Sequence, residues 1–240
     1  METIHKGKLI ARLAQGRAEM DRVMAFRRVA FPRVKGTEED AQDALSAHVI
    51  VEGEGEVLAY FRVMLFGWGA GLAQGYAARF YDVGPLSGYA KPIAEMGRFC
   101  VRPGGVHPDV LRLAWGAMTR VVDAGPAGLL VGCSSFRGAG WEVHRATLAL
   151  LAAEFVGPVE HLPGRKAAEV VELAAAGPVG ERRAALAGLP PLLRTYLGMG
   201  GWVSDHAVVD RELDTLHVFT CVEVDRVPVA RAASLRAVAG

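Results

Sequence analysis

The chain has 240 residues, 51% of them hydrophobic and 22% charged, with a formal net charge of +1. That length fits one large domain or two small ones around a sizeable core. The near-neutral balance, with no basic tract interleaved with aromatics, argues against a nucleic-acid partner.

Lys8 to Leu13 is the first candidate strand. Gly16 to Phe31 then sets Met20, Val23, Met24, Arg27 and Phe31 at helical spacing until Pro32 stops the pattern. Arg33 to Ser46 is charged and without period. His48 to Glu52 and Val57 to Phe66 flank G-E-G-E and predict an antiparallel hairpin. Gly67 to Gly75 holds four glycines, which predicts a mobile loop or a place where a ligand lies against bare backbone.

A strand is predicted from Ile93 to Val101, then a turn at Pro103-Gly104-Gly105 and a helix from His107 to Asp123 with Pro108 in its first turn. Gly128 to Phe136 is apolar enough for a central strand, and a helix follows through Ala146 to Phe155. Glu160 to Gly188 shows little period and is expected to be a surface insertion. Leu189 to Trp202 predicts a short proline-started helix, and Ala207 to Val209 and Leu216 to Val224 predict a closing strand pair. No internal repeat or linker divides the chain, so one α/β domain over residues 1–240 with a mixed sheet is expected.

Three cysteines, Cys100, Cys133 and Cys221, sit in apolar segments without C-x-x-C spacing and predict reduced thiols. The histidines show no metal-ligand spacing, and no phosphate loop, HExxH or G-x-S-x-G motif occurs, so no metal and no bound cofactor are expected. The N-terminal M-E-T-I-H-K-G-K lacks a signal peptide's apolar core, and no stretch approaches the roughly 20 apolar residues of a span. A cytoplasmic protein is expected.

The chemistry-bearing signals are charges inside apolar strands: Arg62, Glu95 and Arg98. An unpaired buried charge is costly, so each is paired, at an edge, or functional. In an ideal strand Glu95 shares a face with Gly97 and Phe99, and Arg98 with Met96 and Cys100. A β-bulge at Gly97 brings the two charges toward one face. Ser134 and Ser135 at a strand end admit a nucleophile or ordinary turn chemistry.

Arg27 with Phe31, Asp40 with Asp43, Arg62, and Glu95 with Arg98 follow in the order that resembles the acyl-homoserine lactone synthases, without the Trp usual between the first two pairs. M-G-R-F-C-V-R-P, V-G-C-S-S-F, His48 before an apolar strand, and P-P-L-L-R-T-Y-L-G-M-G-G-W-V-S-D-H-A-V-V-D are more similar to the bacterial ornithine-lipid N-acyltransferases, a haemolysin-like family. That resemblance runs from about Leu9 to Val224. It implies a GNAT-like (acyl-CoA N-acyltransferase) fold, a central mixed twisted sheet flanked by helices. Ala47 stands where that family tends to carry Asp, which leaves room for lysine or glutamine beside ornithine as acceptor.

The resemblance further implies transfer of a 3-hydroxyacyl chain from acyl carrier protein to the α-amine of ornithine. Glu95 is then the expected base, and a bulged strand at Gly97 to Phe99 the expected source of oxyanion donors. Arg98 and Arg62 hold either the substrate carboxylate or the Asp40 and Asp43 pair, while Arg27, Phe31, His48 and Phe99 line the acceptor site. Arg102, Ser134 and Ser135 are expected on the donor side. R-P-G-G-V-H-P-D-V departs from the coenzyme A pyrophosphate loop, in keeping with a protein-borne donor.

Arg102, Arg112 and Arg120 are the expected docking patch for acyl carrier protein, and Leu65 to Leu72 a lid or a loose inner-membrane contact. A lactone synthase using S-adenosylmethionine and a non-catalytic acyl-binding protein are the alternatives.

Overall fold

The computed structural model describes residues 1–31, 39–104 and 107–239. In chain order the strands are β1 (Ile4–Lys6), β2 (Leu9–Leu13), β3 (Ala47–Gly53), β4 (Glu56–Phe66), β5 (Tyr81–Asp82), β6 (Ile93–Val101), β7 (Leu129–Arg137), β8 (Gly164–Arg165), β9 (Val170–Glu172), β10 (Trp202–Asp210) and β11 (Thr215–Glu223). The helices are α1 (Gly16–Ala30), α2 (Pro108–Ala124), α3 (Arg145–Glu154), α4 (Arg182–Ala187), α5 (Pro191–Leu197) and α6 (Val229–Ala239). Most periodic segments fold as their pattern predicts, and β6 has the predicted ends.

The chain divides into two compact units, each built from segments distant in sequence. Met1–Leu65, Ala94–Ala127 and Pro228–Gly240 make the first, and Phe66–Ile93 with Gly128–Val227 the second. Two of the four crossings between units, at Leu65/Phe66 and Ile93/Ala94, fall inside strands β4 and β6, where no linker marks them.

In the first unit the strand order is β1-β2-β3-β4-β6. The β3–β4 hairpin is antiparallel, with His48 opposite Arg62 and Ile50 opposite Tyr60. Val23, Met24 and Phe26 of α1 pack on Ile50, Val57, Tyr60 and Cys100. Val49 and Val51 point the other way and are equally buried, so β3 is covered on both faces and reads as a continuous apolar run. α2 packs against β1, β2, β3 and α6. Its first turn carries Pro108, which has no N–H to lose, and His107 accepts the Asp109 N–H as cap.

In the second unit β7-β11-β10-β9 form an antiparallel ladder. Leu148, Ala149 and Leu151 of α3 and Leu193 of α5 pack against Phe136, Val203, Ala207, Leu216 and Val218 on one face. Residues 160–188 are not a surface arm: they supply β8, β9 and α4, with Leu173, Ala176 and Ala185 buried. Their short elements are too brief to show a period.

The glycine-rich stretch is likewise no open loop. Gly69–Gln74 forms a 3₁₀ turn, and a Cβ added at Gly69 meets the Leu86 carbonyl oxygen at 1.9 Å. At Gly69 the missing side chain lets the chain lie against its own backbone. Phe66 and Leu72 are buried while Trp68 is 63% exposed. Gly69→Ala is therefore expected to destabilise the protein by about 1–3 kcal/mol, read as a lower urea midpoint with an unchanged slope.

Candidate functional site

The site begins with a β-strand problem: Asp43, in a 3₁₀ turn just before β3, is only 2% exposed. A carboxylate so buried needs charge-assisted partners. Arg27 from the last turn of α1, itself fully buried, donates Nη1 to Asp43 Oδ2 at 2.7 Å. Arg62 from β4 donates Nη1 to Asp43 Oδ1 at 2.6 Å and also to Asp40 Oδ1. Arg98 from β6 donates Nη2 to the other Asp40 oxygen at 3.0 Å. Three guanidinium groups from one helix and two strands thus converge on the D-x-x-D pair.

The turn that presents the two carboxylates is held by the pair itself. Asp43 Oδ2 accepts the Asp40 N–H at 2.8 Å, and Asp40 Oδ1 accepts the Gln42 and Asp43 N–H groups. His48 braces it from below. Its Nε2 lies 2.9 Å from the Asp43 carbonyl, which can only accept, so Nε2 carries the proton and Nδ1 accepts the Tyr60 hydroxyl at 2.9 Å. Burial lowers the His48 pKa and raises that of Tyr60, keeping both neutral.

β6 supplies the irregularity expected near Gly97, but at the next residue. Arg98 has φ +54° inside the strand, a left-handed conformation that costs a non-glycine residue about 1–2 kcal/mol. Its ion pair with Asp40 offsets that cost. Gly97 has a different duty: a Cβ there sits 3.3 Å from Arg62 Nε, so the missing side chain leaves room for the Arg62 head group. Glu95 lies two residues earlier on the same strand and is 3% exposed.

The predicted residues divide by accessibility. Arg27, Asp43, His48 and Arg62 are buried and engaged with one another, and His48 in particular has both ring nitrogens occupied. They form a buried scaffold for the D-x-x-D turn. Asp40 and Arg98, with 17% and 11% of their side chains exposed, are the rim. Phe31 packs beside the α1 core and Phe99 stacks on Phe61 with ring centroids 6.3 Å apart. Residues 32–38, which separate Phe31 from the acidic pair, lie outside the described residues. Tyr60 was not singled out by sequence, because a tyrosine in an apolar strand is an ordinary core residue until its partner is known.

Arg102 is bound to Glu56 and to the Val57 carbonyl, Arg112 to Asp109, and Arg120 to Glu2, so each cation of the expected docking patch has an acidic neighbour. Ser134, in the second unit, lies inside β7 and accepts a hydrogen bond from Thr220 at 2.9 Å, which is ladder packing and not a strand end. Ser135 points the other way and is exposed.

The three cysteines are reduced thiols, and burial pushes the Cys100 thiol up to about 12 and the Cys221 thiol well above its ordinary value. Among the described residues no group of three or more His, Cys, Asp or Glu is placed to hold a metal ion. No helix among them is long and apolar enough to cross a membrane.

Comparison with known proteins gives concordant results. Residues 22–116 match the Acetyltransferase (GNAT) domain model. The chain is 28% identical over 193 residues to L-ornithine N(alpha)-acyltransferase of Rhodobacter capsulatus, covering 78% of this chain and 74% of that one. It is 26% identical over 246 residues to the enzyme of the same name from Brucella abortus, covering 92% and 86%.

Among solved structures, FeeM, an N-acyl amino acid synthase from uncultured soil microbes, aligns with a TM-score of 0.50 at 10% identity, over 92% of this chain and 94% of that one. The loading GNATL domain of CurA from Lyngbya majuscula aligns with a TM-score of 0.52 at 10% identity, over 90% and 98%. The fold is GNAT-like, a mixed α/β arrangement of sheet and flanking helices, and the resemblance to the ornithine N-acyltransferases extends over most of the chain.

The acid pair has a measurable signature. Burial alone would raise the Asp40 pKa, but hydrogen bonds from Arg62 and Arg98 outweigh it and hold the carboxyl at about 2, below its ordinary 3.8. The folded state keeps Asp40 charged where the unfolded chain has taken up a proton. Its contribution, on the order of 2 kcal/mol, is complete above pH 3.8 and lost as the pH falls toward 2. Asp40→Asn is expected to lower stability at pH 7 and to flatten the dependence between pH 4 and 2, measured by urea denaturation across that range.

Proposed function

We propose that the protein is an amide-forming acyltransferase that moves an acyl chain, a 3-hydroxyacyl chain in the favoured case, from acyl carrier protein to the α-amine of ornithine. The observation that carries this reading is the buried carboxylate Glu95 on the strand that also presents Arg98, in a chain similar nearly throughout to ornithine N-acyltransferases. The similarity supports an amino-acid acceptor, and the geometry supports the roles assigned below.

The acceptor's α-ammonium loses a proton to Glu95, directly or through one water, because only the free amine has a lone pair to attack with. Its nitrogen bonds to the thioester carbon and the carbonyl electrons move to oxygen. Backbone N–H groups near the left-handed residue Arg98 are the donors assigned to that oxyanion. When the carbonyl re-forms, the C–S bond breaks and the thiol leaves with a proton, giving an amide.

Arg98 is the arginine assigned to the acceptor carboxylate, since Arg62 and Arg27 are committed to the interior while Arg98 stands at the rim. Asp40, also at the rim, faces the acceptor's cationic end.

Glu95→Gln is expected to fold normally and to lose about 10²–10⁴-fold in kcat, measured by mass spectrometry of acyl-ornithine formed by the purified enzyme. A folded Glu95→Gln protein with full activity removes Glu95 from the mechanism. Arg98→Lys, which loses the planar fork, is expected to raise the KM for ornithine more than it lowers kcat. An unchanged KM together with a fallen kcat would assign Arg98 to the reacting centre instead.

A further inference from the structure

Tyr60 is fully buried among Val23, Met24, Phe26, Ile50 and Val57, where its ring alone would satisfy the packing and a hydroxyl is costly unless it is partnered. The mechanism above gives it no role. Its hydroxyl nevertheless starts a directed chain of hydrogen bonds that ends at the rim of the site, and every residue of that chain belongs to the first unit.

The β3–β4 register sets Ile50 opposite Tyr60 and His48 opposite Arg62, so His48 and Tyr60 are diagonal neighbours, their rings 6.0 Å apart and inclined by 16°. The Tyr60 hydroxyl donates to His48 Nδ1, and Nε2–H donates to the Asp43 carbonyl, both at 2.9 Å. That carbonyl has a second donor, the Ser46 N–H at 3.1 Å, which closes the turn on itself. His48 is what ties the turn's backbone to β3.

Arg27 and Arg62 hold the same turn by its carboxylates. A guanidinium with five donors can shift along a carboxylate and keep its ion pair, whereas a single imidazole N–H fixes one position. From Asp43 the constraint passes to Asp40, whose N–H binds Asp43 Oδ2 at 2.8 Å and whose carbonyl accepts the Asp43 N–H at 2.9 Å. Asp40 in turn receives Arg98 Nη2 at 3.0 Å. Without the phenol, the ring orientation that serves the turn would leave Nδ1 a buried acceptor with nothing to accept, so the ring would have reason to turn away.

We propose that Tyr60 and His48 are positioning residues for the amino-acid acceptor: the hydroxyl holds the imidazole, the imidazole N–H holds the backbone of the acid turn, and the turn sets where Asp40 and Arg98 stand. The inference rests on the acyltransferase reading above and deepens it by naming what sets acceptor affinity. The acyl donor is untouched by this chain of contacts.

The test is a split of Michaelis constants, measured on purified enzyme with ornithine and 3-hydroxydecanoyl-acyl carrier protein. Tyr60→Phe is expected to raise the KM for ornithine about fivefold or more, with kcat and the KM for the donor within about twofold of wild type. Loss of folded enzyme alone lowers kcat and leaves both KM values where they were. His48→Gln places an amide nitrogen where Nε2 was and is expected to keep the KM for ornithine within about threefold of wild type; His48→Asn ends where Nδ1 was and is expected to raise it as far as Tyr60→Phe does.

An unchanged KM for ornithine in folded Tyr60→Phe, an equal rise in both KM values, or equal effects of the Gln and Asn variants overturns the proposal. Should Tyr60→Phe fail to fold, the Gln and Asn pair decides. One further reading needs neither turnover nor a stable variant: in wild-type protein labelled with ¹⁵N-histidine, His48 is expected as the neutral Nε2–H tautomer, and the Nδ1–H tautomer overturns the proposal. Wild-type enzyme that transfers no acyl chain to ornithine defeats the acyltransferase reading and the acceptor role together, whereas transfer with an unmoved KM in Tyr60→Phe defeats the positioning role alone.

Discussion

The desolvated carboxylate of Asp43 is the constraint on which the first unit is built. Removing one partner from a buried ion pair typically costs about 3–5 kcal/mol, so Arg27 and Arg62 cannot leave it without loss of fold. Because Arg27 comes from α1 and Arg62 from β4, the carboxylate fixes a helix against a strand. His48 and Tyr60 extend the same network down the β3–β4 hairpin. The polar interior is therefore satisfied as a set, the condition under which such networks specify one arrangement and not several.

That set also controls β6. Arg98 holds a left-handed backbone, and the group that holds it there is Asp40, which is itself anchored by Arg62. Arg62 reaches Asp40 across Gly97, where a side chain would crowd its Nε. The irregular strand is thus a consequence of the acid pair. Local strain is stored where neighbouring structure over-determines it, and such places are commonly the ones that do chemistry. Glu95 lies buried on the same strand, upstream of Arg98.

The second unit solves a different problem with similar means. Its ladder between β10 and β11 accommodates two extra residues by letting the Ser204 hydroxyl stand in for a backbone acceptor. The distortion places an imidazole inside the core with one nitrogen satisfied and the other not. Close glycine contacts at Gly69 and Gly157, where a Cβ would strike the Leu86 carbonyl and the Trp202 ring, let neighbouring segments approach this tightly.

Much of this protein was legible in its sequence because the governing patterns are local. Apolar period gave α1, α2, the β3–β4 hairpin and β6, since a 3.6 or 2.0 repeat is a property of consecutive residues. Charges within apolar runs marked Arg62, Glu95 and Arg98, and spaced motifs carried the resemblance to N-acyltransferases. Segments without period gave nothing: residues 160–188 fold into pieces too short to repeat, and their burial comes from partners distant in the chain. Tertiary structure alone decided that Arg98 and not Gly97 takes the left-handed backbone, because that choice depends on Asp40, 58 residues away. It also decided that Arg27 and His48 brace the D-x-x-D turn, that Arg102, Arg112 and Arg120 each have an acidic neighbour, and that His206 and His217 meet at Tyr81. Each of these depends on which side chains share a small volume, and a one-dimensional pattern does not encode that proximity.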